Sequence, residues 1–191
     1  DLPALRWVMT ETASGEAGGP PDEDGYGGVF GAYPYAFRRS DSRLFRAYAL
    51  VGGLLALTLA LLFGFALVVQ VAQTLGGPGG TFTFARALFI LVGLLVVAPL
   101  MAPVLFVARQ HRRAGSDARY DRLLGGSGFL FVVSLYLGIT ASIPPEFVLD
   151  GETVARPAPS GLTAPLVELL YAVPEVAAPA IPFAAALLVY F

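Results

Sequence analysis

Residues 47–71 read AYALVGGLLALTLALLFGFALVVQV, and this stretch decides the fold. Thr58 and Gln70 are its only side chains outside the hydrophobic and glycine classes. As a helix, it extends about 37 Å, which exceeds the hydrocarbon core of a bilayer, about 30 Å thick. The sequence therefore predicts a membrane-spanning helix.

Three more apolar stretches follow, at 87–108, 125–143 and 165–191. Pro99 and Pro103 interrupt the first of these and predict a bend, because proline removes a backbone donor. With residues 47–71 they predict an all-α integral membrane protein with four transmembrane helices.

The last stretch is broken by three prolines and admits two interpretations. Either one kinked helix crosses over 165–191, or 165–173 lies on the membrane surface and the crossing begins at Glu175. We favour the single kinked crossing. The polar, proline-rich residues 144–164 before it predict a structured loop on the outer side.

Composition supports a membrane protein and excludes several kinds of site. Hydrophobic residues make up 56% of the chain and charged residues 14%, against about 25% charged in soluble domains. The absence of cysteine excludes iron–sulfur clusters, thiolate zinc sites and disulfides. All twelve basic residues are Arg, which excludes a lysine Schiff base. We predict no cofactor, no metal site and no nucleic-acid partner.

The single histidine, His111, lies in a polar stretch, 109–122, that predicts a loop outside the bilayer. A hydrolase built on His111 with Ser116 or Asp117 is rejected, because no Gly-x-Ser-x-Gly frame surrounds them. The usual catalytic groups are therefore missing, which disfavours an enzyme.

Residues 1–40 are rich in glycine, proline and acids, as in the run GEAGGPPDEDGYGG at 15–28. Such a composition buries too little apolar surface to fold and predicts a disordered cytoplasmic tail. Its end carries aromatic residues from Tyr26 to Phe37, followed by arginines. This order favours contact with lipid headgroups, and the alternative is that the rings pack on the protein itself.

Acids are segregated along the chain, since residues 10–25 hold five acids and no base. Acidic segments beside apolar spans, in a chain without lysine, resemble multi-pass membrane proteins of halophilic archaea. The resemblance implies that these segments face concentrated salt. The joint absence of lysine and asparagine also fits a bacterium with a GC-rich genome.

The arginines predict the orientation of the spans. With four crossings, nine arginines lie on one side, whereas only Arg86 and Arg156 lie on the other. The positive-inside rule then places both termini in the cytoplasm of a cell-membrane protein. We expect the nine to determine topology and to meet lipid headgroups: Arg38, Arg39, Arg43, Arg46, Arg109, Arg112, Arg113, Arg119 and Arg122.

Small residues recur every four positions in the first and third spans, as in helices that pack closely in lipid. We predict that these faces are helix contacts within the monomer or between copies. They comprise Gly52, Ala56, Ala60 and Gly64 in the first span, and Ser134, Gly138 and Ser142 in the third.

Glu168 and Glu175 are seven residues apart, so one continuous helix would place them on nearly the same face. An acid inside the bilayer is costly and indicates a function. We take this pair as a candidate ion or proton site, with Gln70 and Gln73 of the first span as hydrogen-bonding partners. The alternative is that all four side chains lie at the solvated interface.

Two classes of function follow. The first is a non-catalytic subunit, scaffold or accessory component that binds another membrane protein. The second is a small oligomeric transporter or channel that uses Glu168 and Glu175, since broken helices near acids are typical of transporter sites. Either class interacts with the lipid bilayer.

Overall fold

The computed structural model describes residues 28–75 and 81–190. The tail predicted for residues 1–27, the glycine-rich loop at 76–80 and Phe191 lie outside the described residues.

Helices dominate the described chain, and one β-hairpin interrupts them. The helices are α1 (Gly28–Arg39), α2 (Arg43–Leu75), α3 (Thr81–Ala114), α4 (Ala118–Ala141), α5 (Ala164–Tyr171) and α6 (Ala180–Tyr190). The strands are β1 (Glu146–Leu149) and β2 (Glu152–Ala155), and short 3₁₀ turns precede α5 and α6 at Gly161–Thr163 and Glu175–Ala177.

Three helices are long and apolar enough to cross a membrane, over Arg43–Gln73, Arg86–Ala114 and Ala118–Ala141. A fourth crossing is present if the bent pair Gly161–Tyr171 and Glu175–Tyr190 counts as one span. The helical architecture predicted from the apolar stretches is thereby confirmed.

The helices pack through three clusters of buried side chains along the bundle. The first joins α1, α2, α3 and α4 around Phe45, Tyr48 and Val104. The second joins α2, α3, α4 and α6 around Leu100 and Phe131. The third, a small one, joins α4 to α5 and to the turn before α6.

The predicted disordered tail is wrong for residues 28–39, which form α1. Ala32 and Ala36 are fully buried, and the aromatic rings of Tyr33, Tyr35 and Phe37 pack against the first cluster. These rings therefore pack on the protein, the alternative left open for them. Phe30, which is 91% exposed, is an exception.

The loop predicted for residues 109–122 is also wrong, because only 115–117 are non-helical there. Gly115 supplies the turn with a φ of 84°, a conformation that suits glycine. Asp117 caps α4 by accepting hydrogen bonds from the backbone of Arg119 and Tyr120. The polar composition of this segment reflects exposed helix ends.

The hairpin departs from the all-α prediction. Its strands pair antiparallel, with Glu146 opposite Ala155 and Leu149 opposite Glu152. Asp150 and Gly151 form the turn at φ values of 52° and 88°, as a two-residue type I′ turn requires.

The final apolar stretch, predicted as one kinked helix, is divided into two helices. Its two helical parts meet at a bend of 95° around Val173 and Pro174. Proline cannot donate the hydrogen bond that would continue α5, so the chain turns. Helix α6 then packs along α4.

Candidate functional site

One end of the bundle collects the arginines. The end of α1, the start of α2, the end of α3 and the start of α4 meet there, and we call this the arginine end. Nine arginines and three aspartates lie on these helix ends and the turns between them. The opposite, hairpin end carries Arg86, Arg156 and five acids among the described residues.

Asp121 lies fully buried at the centre of the arginine end. Ser40 Oγ donates a hydrogen bond of 2.5 Å to its Oδ2 atom, and His111 Nε2 lies 2.9 Å from its Oδ1 atom. Both side chains are buried as well. One carboxylate thus joins the α1–α2 linker, α3 and α4, and we call these three residues the Asp121 network.

Local structure places each member of the network. His111 lies three residues before the end of α3, and Asp121 lies three residues after the start of α4. Two helices joined by a short turn bring such symmetric positions face to face. Predicting this pairing from the sequence would require knowing that the turn lies at 115–117.

Ser40 is held by the start of α2. Its Oγ accepts a hydrogen bond of 3.2 Å from the backbone of Ser42, and its carbonyl accepts one of 2.8 Å from Arg46 Nε. Ser42 in turn caps α2, since its Oγ accepts from the backbone of Phe45 at 3.3 Å. The start of α2 therefore fixes Ser40 through both its hydroxyl and its carbonyl group.

This geometry differs from that of a nucleophilic triad. In such a triad the histidine lies between the serine and the acid and accepts the serine proton. Here Asp121 lies between Ser40 and His111. His111 Nδ1 is buried and has no hydrogen-bond partner among the described residues. The arrangement is suited to joining helices.

Close contacts between α2 and α4 support the network. A Cβ atom on Gly125 would lie 2.9 Å from Phe45 Cα, so backbone meets backbone there. The Tyr48 ring packs directly on Gly128, and Tyr48 Oη donates a hydrogen bond of 2.6 Å to the Leu100 carbonyl. Neither glycine belongs to the small-residue pattern that recurs every four positions, so the sequence did not reveal these contacts.

The predicted helix-packing residues occupy varied environments. In α4, Ser134 is buried and Gly138 meets Pro182 of α6, with 2.9 Å from the glycine's Cβ position to Pro182 Cδ. Ser142 is exposed at the end of α4.

In α2, Gly52 and Ala56 are buried, and Ala60 is half-buried. A Cβ atom on Gly52 would meet the ring of Tyr48 on the same helix. Gly64 has no atom within 4 Å of its Cβ position. The small residues of α2 are thus in the core at Gly52 and Ala56 and on an open surface at Gly64.

The candidate ion or proton site is divided by the bend. Glu168 lies on α5 and Glu175 in the turn before α6, so the single helical face predicted for them does not form. Both acids are exposed. In the hairpin-end half of α2, Gln70 is buried and Gln73 is exposed.

Glu168 lines a cavity of about 420 Å³ at the hairpin end. The Arg156 guanidinium forms another wall and lies 4.0 Å from the centre of the Tyr171 ring, a cation–π contact. Within the described residues, no three His, Asp or Glu side chains are grouped to hold a metal ion.

A second cavity, a groove of about 520 Å³, runs between α1 and α2 and is also lined by Val97 and Met101 of α3. Apolar and small side chains line it, among them Phe30, Gly53 and Ala60. Neither cavity is lined by a member of the Asp121 network.

Comparison with known proteins gives one match. The family DUF8056, a domain of unknown function, matches residues 9–191. No curated protein and no solved structure matches the chain. The match names no source organism, so the resemblance to proteins of halophilic archaea stays a prediction.

Proposed function

The chain belongs to the DUF8056 family, and we propose that it crosses a membrane four times as a non-catalytic subunit or scaffold of a membrane complex. In this arrangement the arginine end and both termini face the cytoplasm. The fourth crossing consists of the bent pair of helices that ends at α6.

The charge distribution supports the orientation. The helices bring nine arginines from four helix ends to one end of the bundle, and the hairpin end has only two. Arginine close to helix ends is retained on the cytoplasmic side during insertion. The apolar middle of the bundle separates the two ends.

The surface of α2 is the observation that carries the subunit proposal. Only 11% of its most apolar window is buried within the chain, against 33% for α3 and 39% for α4. Leu62, Phe65 and Val68 are each at least 60% exposed. An apolar helix this exposed contacts lipid or another transmembrane helix.

The Asp121 network supports a structural role. The carboxylate, imidazole and hydroxyl groups of the network are buried and bind one another. They join three helix ends and line neither cavity. This is the use expected in a scaffold.

Single-cysteine labelling tests the orientation, because the chain has no native cysteine. Ser116→Cys lies in the exposed turn of the arginine end, and Thr153→Cys lies in the exposed hairpin. In intact cells, an impermeant maleimide should label position 153, and it should label 116 only after lysis. The reverse pattern, or equal labelling, contradicts the proposed topology.

Native mass measurement after gentle extraction tests the subunit role. We expect stoichiometric foreign subunits, and we expect a photoreactive analogue at Phe65 to cross-link to them. The same analogue at the fully buried Leu100 is the control and should cross-link within the chain. A homogeneous species without foreign subunits contradicts the proposal.

A transporter or channel is the second candidate, favoured by the 95° break beside Glu168 and Glu175. Discontinuous helices near acids form ion sites in transporters. A homo-oligomer whose ion flux in liposomes is abolished by Glu168→Gln or Glu175→Gln would support it. Unchanged flux in both variants would dismiss these acids as the site.

A further inference from the structure

The groove between α1 and α2 has a shape that restricts what it can hold. Helix α1 packs mainly against α3, and the Tyr33 ring contacts α2 at Gly53. A Cβ atom on Gly53 would lie 2.8 Å from Tyr33 Cε1, so only glycine leaves room for this ring. Around that contact α1 and α2, together with Val97 and Met101 of α3, line a space of about 520 Å³.

Small residues form the floor of the groove, and large apolar residues form its rims. Ala49, Gly53 and Ala60 of α2 line it and leave the space. Phe30 of α1 is 91% exposed and Leu54 of α2 is 68% exposed on the rims. No charged side chain is among its lining residues.

The groove is elongated along the axis of α2. From Ala49 to Ala60 it follows α2 for about 16 Å. This length is close to the roughly 15 Å of one leaflet of a hydrocarbon core. An acyl chain that extends through one leaflet therefore matches the groove in length.

Cations lie beyond one end of the groove. Arg46 precedes Ala49 by one turn and shares its helix face with Leu50 and Gly53, at spacings of four and seven residues. Its Nε donates to the Ser40 carbonyl, which holds the guanidinium at the arginine end. Arg43 is exposed one turn further on.

We propose that this groove binds one acyl chain of an anionic phospholipid from the cytoplasmic leaflet, with the phosphate at Arg46 and Arg43. The inference rests on the proposed membrane location and orientation. Acyl chains are the solvent around an inserted bundle, so an apolar groove about as long as one leaflet is thick takes up one of them. The arginines select an anionic headgroup, because each cation near the surface favours it.

The test compares two lipids on the purified full-length protein. Native mass spectrometry measures retention of dioleoyl phosphatidylglycerol and dioleoyl phosphatidylcholine, which share their chains and differ in headgroup charge. We expect the anionic lipid to be retained at least tenfold better. Equal retention of the two lipids overturns the proposal.

Matched variants locate the bound lipid. Ala60→Phe fills the groove and should lower retention at least tenfold. Ala66→Phe is the control, since Ala66 is also half-buried on α2 and does not line the groove. Leu57→Trp, at an exposed rim position, gives a second groove variant if Ala60→Phe does not fold. Equal retention in a folded groove variant and in the control overturns the proposal.

Headgroup contact is tested separately. Arg43→Gln and Arg46→Gln should each reduce the preference for the anionic lipid about fivefold. Arg122→Gln, at the same end on α4, should leave it unchanged. An equal reduction in all three variants shows a diffuse charge effect and contradicts a bound headgroup.

The cysteine labelling of positions 116 and 153 separates this inference from the proposed function. If labelling contradicts the proposed topology, both fail. If labelling supports the proposed topology and the groove variants bind lipid like the control, only the lipid site fails. A dimer that Ala60→Phe dissolves shows that a second copy occupies the groove, which also overturns the lipid site.

Discussion

The arginine end and the hairpin end of this bundle are stabilised in different ways. At the arginine end a buried carboxylate, a hydroxyl and an imidazole join three segments of the chain. The largest fully buried side chains of the described residues, Tyr48 and Phe45, lie in the cluster that packs α1, α2, α3 and α4 together. At the hairpin end, acids are exposed, and Leu62 and Phe65 of α2 face outward.

The difference shows which end of the bundle is stabilised by contacts within the chain. The arginine end satisfies most of its buried polar groups internally and packs four helices around them. At the hairpin end, apolar helix surface stays exposed, and lipid or another transmembrane helix must cover it. Substitutions at the arginine end should therefore change stability most, and those at the hairpin end should change it least.

Asp121→Ala should have the largest effect. It leaves the buried Ser40 hydroxyl and His111 imidazole without their shared partner, and each loss costs about 1–3 kcal/mol of unfolding free energy. Thermal unfolding in detergent measures the loss. Asp117→Ala is the control, because it removes only an exposed helix cap worth about 1 kcal/mol. If Asp121→Ala costs no more than Asp117→Ala, the network does not hold the arginine end together.

Gly125→Ala should have the next largest effect, about 1–3 kcal/mol of destabilisation. Its new methyl group would lie 2.9 Å from the Phe45 backbone, so α2 and α4 must separate. Gly126→Ala is the neighbouring control, because its nearest contact is 4.0 Å away. That variant should be up to about 1 kcal/mol more stable than the wild type, because alanine has a higher helix propensity than glycine. Equal melting temperatures of the two variants would contradict the close contact.

Tyr33→Phe should have a smaller effect that depends on pH. Burial raises the pKa of Tyr33 to about 12, from about 10 in the unfolded chain. The folded state therefore disfavours tyrosinate, and wild-type stability falls as the pH rises from 10 to 12. The variant should lose less of its melting temperature over that interval. Equal losses of melting temperature in the variant and in the wild type over this interval would contradict the burial of the Tyr33 hydroxyl.

Changing a carboxylate to an amide should have the smallest effect on stability at the hairpin end. The same change at the arginine end should have a larger effect, so it compares the two ends directly. Glu168→Gln and Glu175→Gln alter exposed groups and should shift stability by less than about 0.5 kcal/mol. Asp121→Asn makes the same chemical change inside the network and should cost clearly more. Equal effects at the three positions would show that the ends do not differ.

The sequence predicts the helical spans well because apolar content and length suffice for that purpose. Residues 47–71 lie inside α2, and 87–108 lie inside α3. Helix ends are predicted poorly, since α4 begins at Ala118, seven residues before the predicted start at Gly125. Polar residues at helix ends resemble loop residues when composition alone is considered.

The candidate sites show the same division. The nine arginines were identified by counting, because topology depends on which segments carry charge. The Asp121 network was missed because its members are separated by as many as 81 residues and only the packing of helix ends brings them together. Glu168 and Glu175 were paired by helix periodicity, which a turn at Pro174 invalidates.

Composition and apolar run length alone determined the helical class, the candidate spans and the segregation of charge, because these follow from the transfer of side chains between water and an apolar phase. Only the tertiary structure decided the burial of Asp121 between Ser40 and His111, the packing of α1 on the bundle, the groove along α2 and the break before α6. These features depend on which helix faces meet, and contacts between residues distant in sequence fix that choice.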